Sequence, residues 1–548
     1  DTSTDDTDTD VDNTDTLTDT TPITSTTPIT TTDTTTATIS TDTDTTDETT
    51  GSDEDASEED TSEEDTSEET NTEEEADSEE TTQPITTTET TTDTLDTTDT
   101  LTETETITTT TTITTTDTTT DTLGTSEPIT DTGVMTMTVP MASYPLTMTV
   151  NISSATDFTG DVIVTGLHPN TDYYYQAVLV TDAGTSQPIQ GIFATAPAHD
   201  EGAPLSFVFG SCLGGQGYCR DPETGWQIFN TMQAQNPDFF VITGDSIYVD
   251  SACAAPNVPG SEGPFSDLDG FHNRYRYHLG DTNYASFLAQ TPVYVTWDDH
   301  EIIDDFGGPF LNKYNPALFA EGTQAFFDYW PLRAETGRIY RSVRYGAHAE
   351  LIILDTRSYR DPNVNWDTNP QSLTPKTMLG AEQFAWLQET LATSDAHWKF
   401  IVTSTPLSYP TGFPQPEVDG RDGWANYTER SGYETELMSL LFFLEAQQID
   451  NVIFLTGDTH WPFALSYDPD RDGEANFYEF GSSPLSAINL APTATPDPTF
   501  NPTVLFAEGQ FQGTVFNFGH VAVDAEGNLT FRLVDRDGTE LYNMTLNP

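Results

Sequence analysis

Basic side chains are almost missing from this 548-residue chain: 17 Lys and Arg stand against 91 Asp and Glu, for a formal net charge of -74. No Lys or Arg precedes Arg220, and lysine occurs only as Lys313, Lys376 and Lys399. A nucleic-acid face needs cations to displace the counterions of the phosphate backbone, so no nucleic-acid-binding surface is expected. Such acidity keeps a surface hydrated and unassociated and suits a salty or exposed setting, although ordinary acidic drift gives the same balance. Long apolar runs are missing too. Leu437–Leu455 comes nearest, but Glu445, Gln447, Gln448 and Asp450 interrupt it. It falls short of the roughly 20 apolar residues a bilayer span requires, so no transmembrane segment is expected. Cysteine is scarce, at Cys212, Cys219 and Cys253, and an odd count leaves one outside any disulfide. With Cys212 as a metal-ligand candidate, Cys219 and Cys253 remain to pair; Cys212–Cys219 is the rival pairing. The chain opens at Asp1 with neither Met nor a basic, apolar leader. We read this as a mature form whose signal peptide is removed, located outside the cell, in the periplasm or on the cell surface.

Residues 1–133 are dominated by Thr, with Asp, Glu and Ser making up most of the rest and short imperfect repeats such as Thr61-Ser62-Glu63-Glu64-Asp65 and Thr66-Ser67-Glu68-Glu69-Thr70. Sparse apolar residues and charge of one sign do not repay chain entropy, so no packed core is expected there. The segment reads as a passive solvating tail, as an O-glycosylated stalk with cell-surface or glycan association, or as a β-forming, assembling segment, since Thr favours strands. From 134 to 198 the pattern alternates as in strands. Thr165-Gly166-Leu167-His168-Pro169-Asn170-Thr171-Asp172-Tyr173 looks like the closing part of a small all-β fibronectin-III-like domain. From 199 to 548 the signals are α/β. Helical periodicity marks Glu223–Gln235, Gly380–Ser394 and Tyr433–Gln447, and strand-like runs mark Leu351–Leu354 and Phe400–Val402. The paired strands of Val521–Leu533 and Leu541–Leu546 are expected at the sheet's edge.

Four apolar runs each end in chemistry. Leu205–Phe209 leads into Gly210-Ser211-Cys212, and Phe239–Thr243 into Gly244-Asp245-Ser246-Ile247-Tyr248. Val293–Thr296 leads into Trp297-Asp298-Asp299-His300-Glu301, and Val452–Thr456 into Gly457-Asp458-Thr459-His460. Ligands of open α/β sheets bind beyond the carboxyl ends of the strands, so the four clusters can converge on one metal centre, read here as binuclear. Asp245 and Tyr248 lie three apart on one turn. A phenolate ligand calls for a hard, strongly Lewis-acidic cation, because the phenol must lose a proton whose ordinary pKa is about 10. Iron(III) fits best, with Cys212 supplying a thiolate and Asp245 able to bridge to a neighbouring metal. Tyr248 as core filler is the plainer reading. Asp458 and His460, two apart, face the same side of an extended turn.

In these positions the chain resembles the PhoD-type alkaline phosphatases, relatives of the purple acid phosphatases among the calcineurin-like metallophosphoesterases. The resemblance also rests on Leu354-Asp355-Thr356-Arg357-Ser358-Tyr359-Arg360, Met378-Leu379-Gly380-Ala381-Glu382-Gln383, Trp386-Leu387 and Trp424-Ala425-Asn426-Tyr427. It implies a β-sandwich flanked by helices, with Fe(3+) on Cys212, Asp245, Tyr248 and His460. The second metal, often Ca(2+) in this family, is implied on Asp245 and Asp458 with a ligand from Asp299–Asp304. The family commonly shows Asn shortly after Asp-Asp-His-Glu, whereas Asp304-Asp305 stands here. The extra carboxylate favours a hard divalent cation and repels a phosphate dianion, which makes Asp304 the expected ligand. Asp299 ligates in its place or orients His300.

The implied activity is extracellular hydrolysis of phosphate mono- or diesters, in which a water held by two cations loses its proton and attacks phosphorus. His300 donates a proton to the departing oxygen, holds a phosphoryl oxygen, or merely caps the following helix. Arg357 is a candidate phosphate clamp, with a salt bridge to carboxylates as the alternative. Phospholipase-D-like cleavage of lipid head groups is a variant of the same chemistry. A surface scaffold or filament protein carrying a non-catalytic phosphatase fold is the reading from a different class. Separately, Asp468, Asp470, Asp472 and Glu479 have the spacing of an EF-hand loop and suggest structural calcium, against the simpler reading of an Asp-rich hairpin tip.

Overall fold

Strands apolar along their whole length need cover on both faces, and the larger part of this chain is layered accordingly. A computed structural model describes the backbone of residues 107–115 and 137–138 and, in full, residues 146–253, 258–332, 337–362, 374–411, 423–426, 432–492 and 495–548. All of these fall within the unit Thr98–Pro548.

The N-terminal β unit comprises β1 (Ile107–Thr115), β2 (Met137–Thr138), β3 (Leu146–Ile152), β4 (Val164–Thr165), β5 (Asp172–Thr181), β6 (Gly184–Thr185) and β7 (Ile189–Ala194). β1 runs antiparallel between β3 and β5, so a strand from within the Thr-rich stretch 1–133 joins this sheet. Threonine's branched Cβ suits a pleated surface even where apolar residues are few. Tyr173 is fully buried, and its hydroxyl accepts the backbone amide of His168 at 2.8 Å. The unit docks on the larger part through Ala289, whose carbonyl accepts from the Ile192 amide at 3.1 Å and the Tyr175 hydroxyl at 3.2 Å.

The larger part holds β8 (Leu205–Gly210), β9 (Phe239–Thr243), β10 (Val293–Thr296), β11 (Arg341–Tyr345), β12 (Ala349–Ile353), β13 (Trp398–Val402) and β14 (Val452–Thr456). β15 (Phe463–Tyr467), β16 (Phe477–Gly481), β17 (Pro502–Ala507), β18 (Asn517–Val523), β19 (Leu529–Asp535) and β20 (Glu540–Leu546) follow. One sheet has the order β10-β9-β8-β18-β19-β20, the other β11-β12-β13-β14-β16-β15-β17. The period-2 alternation of side chains builds three apolar layers from these strands. Phe207, Phe209, Leu351, Ile353, Phe400 and Val402 fill the space between the sheets. Val208, Phe240, Ile242 and Val295 face outward under α1 (Ile228–Gln233), α2 (Leu268–Leu279), α3 (Thr282–Leu288), α4 (Gly308–Tyr314) and α5 (Pro316–Tyr329). Ile352, Ile401 and Phe454 face α6 (Gly380–Thr393) and α7 (Glu434–Gln447) on the other side.

Three sequence expectations change. The helix expected from Glu223 begins at Ile228, because the Asp221 carboxylate accepts the amides of Glu223 and Thr224 and Gly225 turns left-handed at φ +64°. The C-terminal strands do not all sit at an edge: β18 pairs antiparallel with β8 in the sheet interior, and only β20 is terminal. The register Val521 to Phe207 explains it, since β18 then sends Val521 and Val523 into the inter-sheet layer. Glu479 is remote in role from the Asp-rich loop. It is fully buried in β16, accepting from the Leu407 amide at 2.8 Å and from the Tyr467 hydroxyl. The strand pattern of Phe477–Gly481 turns its carboxylate into the core, so the twelfth loop position is not a loop ligand.

Burial raises the Glu479 carboxyl from 4.5 to about 7. The native state therefore holds a proton that the unfolded chain releases between these values, and stability falls as pH rises through that window, by about 3 kcal/mol. Glu479→Gln should flatten this fall, measured by urea denaturation at pH 4.5, 6 and 7.5; an unchanged pH slope would refute the assignment.

Candidate metal centre

Because β8, β9 and β10 run parallel, as do β12, β13 and β14, the carboxyl ends of each set emerge on one side of their sheet. Two glycines let the ends of the two sets meet. A Cβ on Gly457 would lie 2.4 Å from Ser211 Oγ and 2.7 Å from its Cβ. On Gly244, already at φ +106°, it would lie 2.6 Å from the Asp298 Cβ and 2.9 Å from the Ser404 Cβ. The side chains that follow are held in left-handed backbone: Cys212 at φ +61°, Asp245 at +52°, Asp458 at +62° and His460 at +63°. Non-glycine residues there are uncommon and costly, and they gather where structure serves a site.

Asp245 is the meeting point. Its Oδ2 accepts from the Tyr248 hydroxyl at 2.9 Å and from Cys212 Sγ at 3.4 Å. The Tyr248 oxygen lies 3.1 Å from His460 Nε2, and His460 Nδ1 lies 2.6 Å from the Ile488 carbonyl. The ligand atoms of Cys212, Asp245 and His460 all fall within 4.8 Å of one another, as do those of Asp245, Asp299 and His300, and those of Asp299, Asp304 and Asp305. Asp245 and Asp299 are each shared by two sets, so the donors form one continuous string. Asp458 stands beside it: its amide donates to Ser211 Oγ at 3.3 Å and its carboxylate accepts from Thr411.

Burial, then the charge of Asp245, pushes the Cys212 thiol and the Tyr248 phenol well above their usual ranges. Burial also raises Asp245 strongly, against the pull of His300, and lowers His460 to about 4. Protons on sulfur and phenol are thus what holds these donors together. A thiol, a phenol, an imidazole and a carboxylate aimed at one point form a donor set that a hard, highly charged cation fits by displacing those protons. Asp299 adds a second sign of fit, since its Oδ1 is buried without a hydrogen-bond partner among the described residues.

His300 is framed on three sides. Its Nδ1 lies 2.7 Å from Asp250 Oδ2, its Nε2 3.7 Å from Asp304 Oδ1, and its ring stacks on Tyr248 with centroids 4.1 Å apart. Burial depresses the imidazole, but Asp250, Asp299 and Asp245 outweigh burial and hold it well above its usual value. Asp250, not Asp299, orients this ring. Two residues beyond Tyr248 in an irregular turn, it carried no strand-end signal. Arg357 is fully buried and turned inward, with Nε 2.5 Å from Asp298 Oδ1 and a terminal nitrogen 3.4 Å from Asp299 Oδ2. This is the salt bridge of the sequence alternatives rather than a clamp facing an open pocket. Asp299 also accepts the Asp305 amide at 2.6 Å; burial raises its carboxyl, but Arg357 and His300 bring it below the usual range. Glu301 accepts from the Ser246 amide and hydroxyl and the Asp298 amide, tying the second and third clusters together. The carboxylates of Asp468, Asp470 and Asp472 gather within 4.8 Å at a separate turn, where Asp468 accepts the amides of Asp472 and Gly473. Cys219 and Cys253 form the disulfide, leaving Cys212 as the free cysteine.

Residues 207–531 match the sequence profile of the PhoD-like phosphatases, more than half of the chain and every cluster above. The chain belongs to the PhoD-like phosphatase family. It is 29% identical over 338 residues to alkaline phosphatase D of Bacillus subtilis (strain 168), a match that covers 57% of this chain and 55% of that protein. The chain thus spans about half the length of this curated relative. A solved structure titled "Structure of PhoD" superposes with a TM-score of 0.57 at 20% identity, over 81% of this chain and 87% of the other, and shows a shared fold. A purple acid phosphatase from yellow lupin seeds gives a TM-score of 0.47 at 14% identity, over 70% and 60% of the two chains.

Gly244→Ala should strain both the left-handed backbone and the contact with Asp298, lowering unfolding free energy by about 2 kcal/mol or more. Guanidinium denaturation measures it, and a loss under about 0.5 kcal/mol would show that the sheet ends are not tightly joined there.

Proposed function

We propose that the protein is an exported, metal-dependent phosphoric ester hydrolase centred on Asp245. The observation that carries this reading is the sharing of Asp245 between the Cys212–Tyr248–His460 set and the Asp299–His300 set. Cys212, Asp245, Tyr248 and His460 would hold Fe(3+). Asp245, Asp299 and Asp304, with Asp458 alongside, would hold a divalent cation, and oxygen donors alone favour Ca(2+). Bound there, the two ions would supply Lewis acidity, polarising a phosphoryl oxygen and lowering the pKa of the attacking water.

The chain's own residues do the rest. Asp250 fixes His300 through Nδ1, which leaves Nε2 to carry a proton to the departing oxygen. Carboxylate neighbours keep that imidazole charged, as a proton donor must be. Arg357 offsets Asp298 and Asp299 and so keeps the loop after β10 in place. A disulfide at Cys219–Cys253 and the acidic surface support an exported setting. The Tyr173 hydroxyl bonded to a backbone amide five residues upstream resembles a tyrosine corner and supports the fibronectin-III-like reading of the small β unit.

Rates on an aryl phosphate, a bis-aryl phosphate and phosphatidylcholine would sort monoesterase, diesterase and phospholipase activity. Asp245→Ala should lower kcat more than about 100-fold, beyond the effect of disturbing an outer contact, and Asp250→Asn about 100-fold with less change in KM. An iron(III) phenolate absorbs visible light, so Tyr248→Phe should bleach the band; a colourless, iron-free, fully active preparation would remove Tyr248 from this role. Absence of hydrolysis in protein loaded with both metals would favour the scaffold reading.

A further inference from the structure

His278 has no place in the chemistry above, yet it is a polar side chain only 1% exposed, in the last turn of α2. Its Nε2 lies 2.9 Å from the carbonyl of Leu213 and its Nδ1 3.0 Å from that of Arg274. Burial first, and Arg274 second, lower the imidazole to about 3, so it carries a single N–H. The Arg274 carbonyl already accepts an amide in the helix ladder, four residues back from His278. In the Nε2–H tautomer the ring donates to the Leu213 carbonyl.

Leu213 is the residue after Cys212, and its own amide donates to the Asp245 carbonyl at 3.0 Å. The Cys212 carbonyl in turn accepts the Ser486 amide at 3.0 Å. The Ser211 carbonyl accepts the Leu485 amide at 2.8 Å, so both peptide groups flanking the thiol's left-handed residue are fixed. The imidazole fixes the next one, between Leu213 and Gly214. The chain is built to admit that ring. Gly214 sits at φ +76°, and a Cβ there would lie 2.8 Å from His278 Nε2 and 2.9 Å from the Trp226 ring. Trp226 backs the imidazole with ring centroids 4.9 Å apart. One helical turn earlier, Arg274 donates to the carbonyls of Ser251 at 2.6 Å and Glu262 at 2.8 Å, holding the segment that follows Tyr248 and Asp250.

We propose that His278 is a positioning residue that holds the Cys212 thiol in the metal centre by bonding the Leu213 carbonyl, an inference that rests on Cys212 being a ligand. Glutamine reaches as far as Nε2 and can donate to Leu213, whereas asparagine cannot. The test compares His278→Gln and His278→Asn in the full chain by three measurements. These are the rate at which a thiol reagent modifies Cys212 in chelator-treated protein, bound iron per chain after reloading, and kcat on an aryl phosphate.

His278→Asn should speed Cys212 modification about tenfold and lower iron retention and kcat about 10- to 100-fold, with His278→Gln within about threefold of the parent. Asn matching the parent in thiol rate and iron content overturns the proposal. Equal damage in both variants also overturns it, since that is the behaviour of a core residue without a directed bond. If the parent neither binds iron nor hydrolyses phosphate, the functional reading fails, while the thiol rates alone still decide whether His278 holds Cys212.

Discussion

A single buried carboxylate organises this protein's site. Asp245 accepts from a thiol and a phenol through one oxygen, and its other oxygen lies 3.3 Å from the His300 amide. Its main-chain carbonyl takes the amide of Leu213. It therefore links the loop after β8, its own loop after β9 and the loop after β10, while Tyr248 extends the link to His460 after β14. Burying a carboxylate among Asp298, Asp299 and Glu301 is unfavourable unless charge compensates it. Among the described residues Arg357 and His300 supply part of that charge, and the balance left over is the physical reason a cation belongs there.

The strain in the site has a matching origin. Four residues of the clusters occupy the left-handed region, a conformation that only over-determined surroundings sustain. Those surroundings are the two sheets, whose three apolar layers bring parallel strand ends together with no room for a Cβ at Gly244 or Gly457. Rigidity of the sandwich is spent on directing side chains that would otherwise point apart.

Much of this could be read from the amino acids. The four apolar runs were recoverable because a strand covered on both faces is apolar throughout, and the polar residues that follow each run stand out against it. The helices α2 to α5 were not recoverable. α2 buries His272, Arg274 and His278 among its aromatics, so no clean apolar stripe marks it. β1 was likewise obscured, since its threonines are indistinguishable in composition from the tail around them. Within the site, strand-end residues were legible, while Asp250 and His278 were not. They act on His300 and on Leu213 from an irregular turn and from a helix, contacts that only the tertiary arrangement creates.

The Asp304-Asp305 pair shows how far local sequence can set chemistry. Asp304 is largely exposed, with its amide on Asp250 Oδ2 at 2.7 Å, while Asp305 is buried and donates its amide to Asp299. Both amides thus brace carboxylates that face His300 and Asp245, and the bracing needs backbone only. The side chain of Asp304 is largely exposed, where solvent screens its charge. An uncharged amide at that position would keep the bracing and remove the negative charge. The difference between the two therefore falls on the exposed charge beside His300 rather than on the fold.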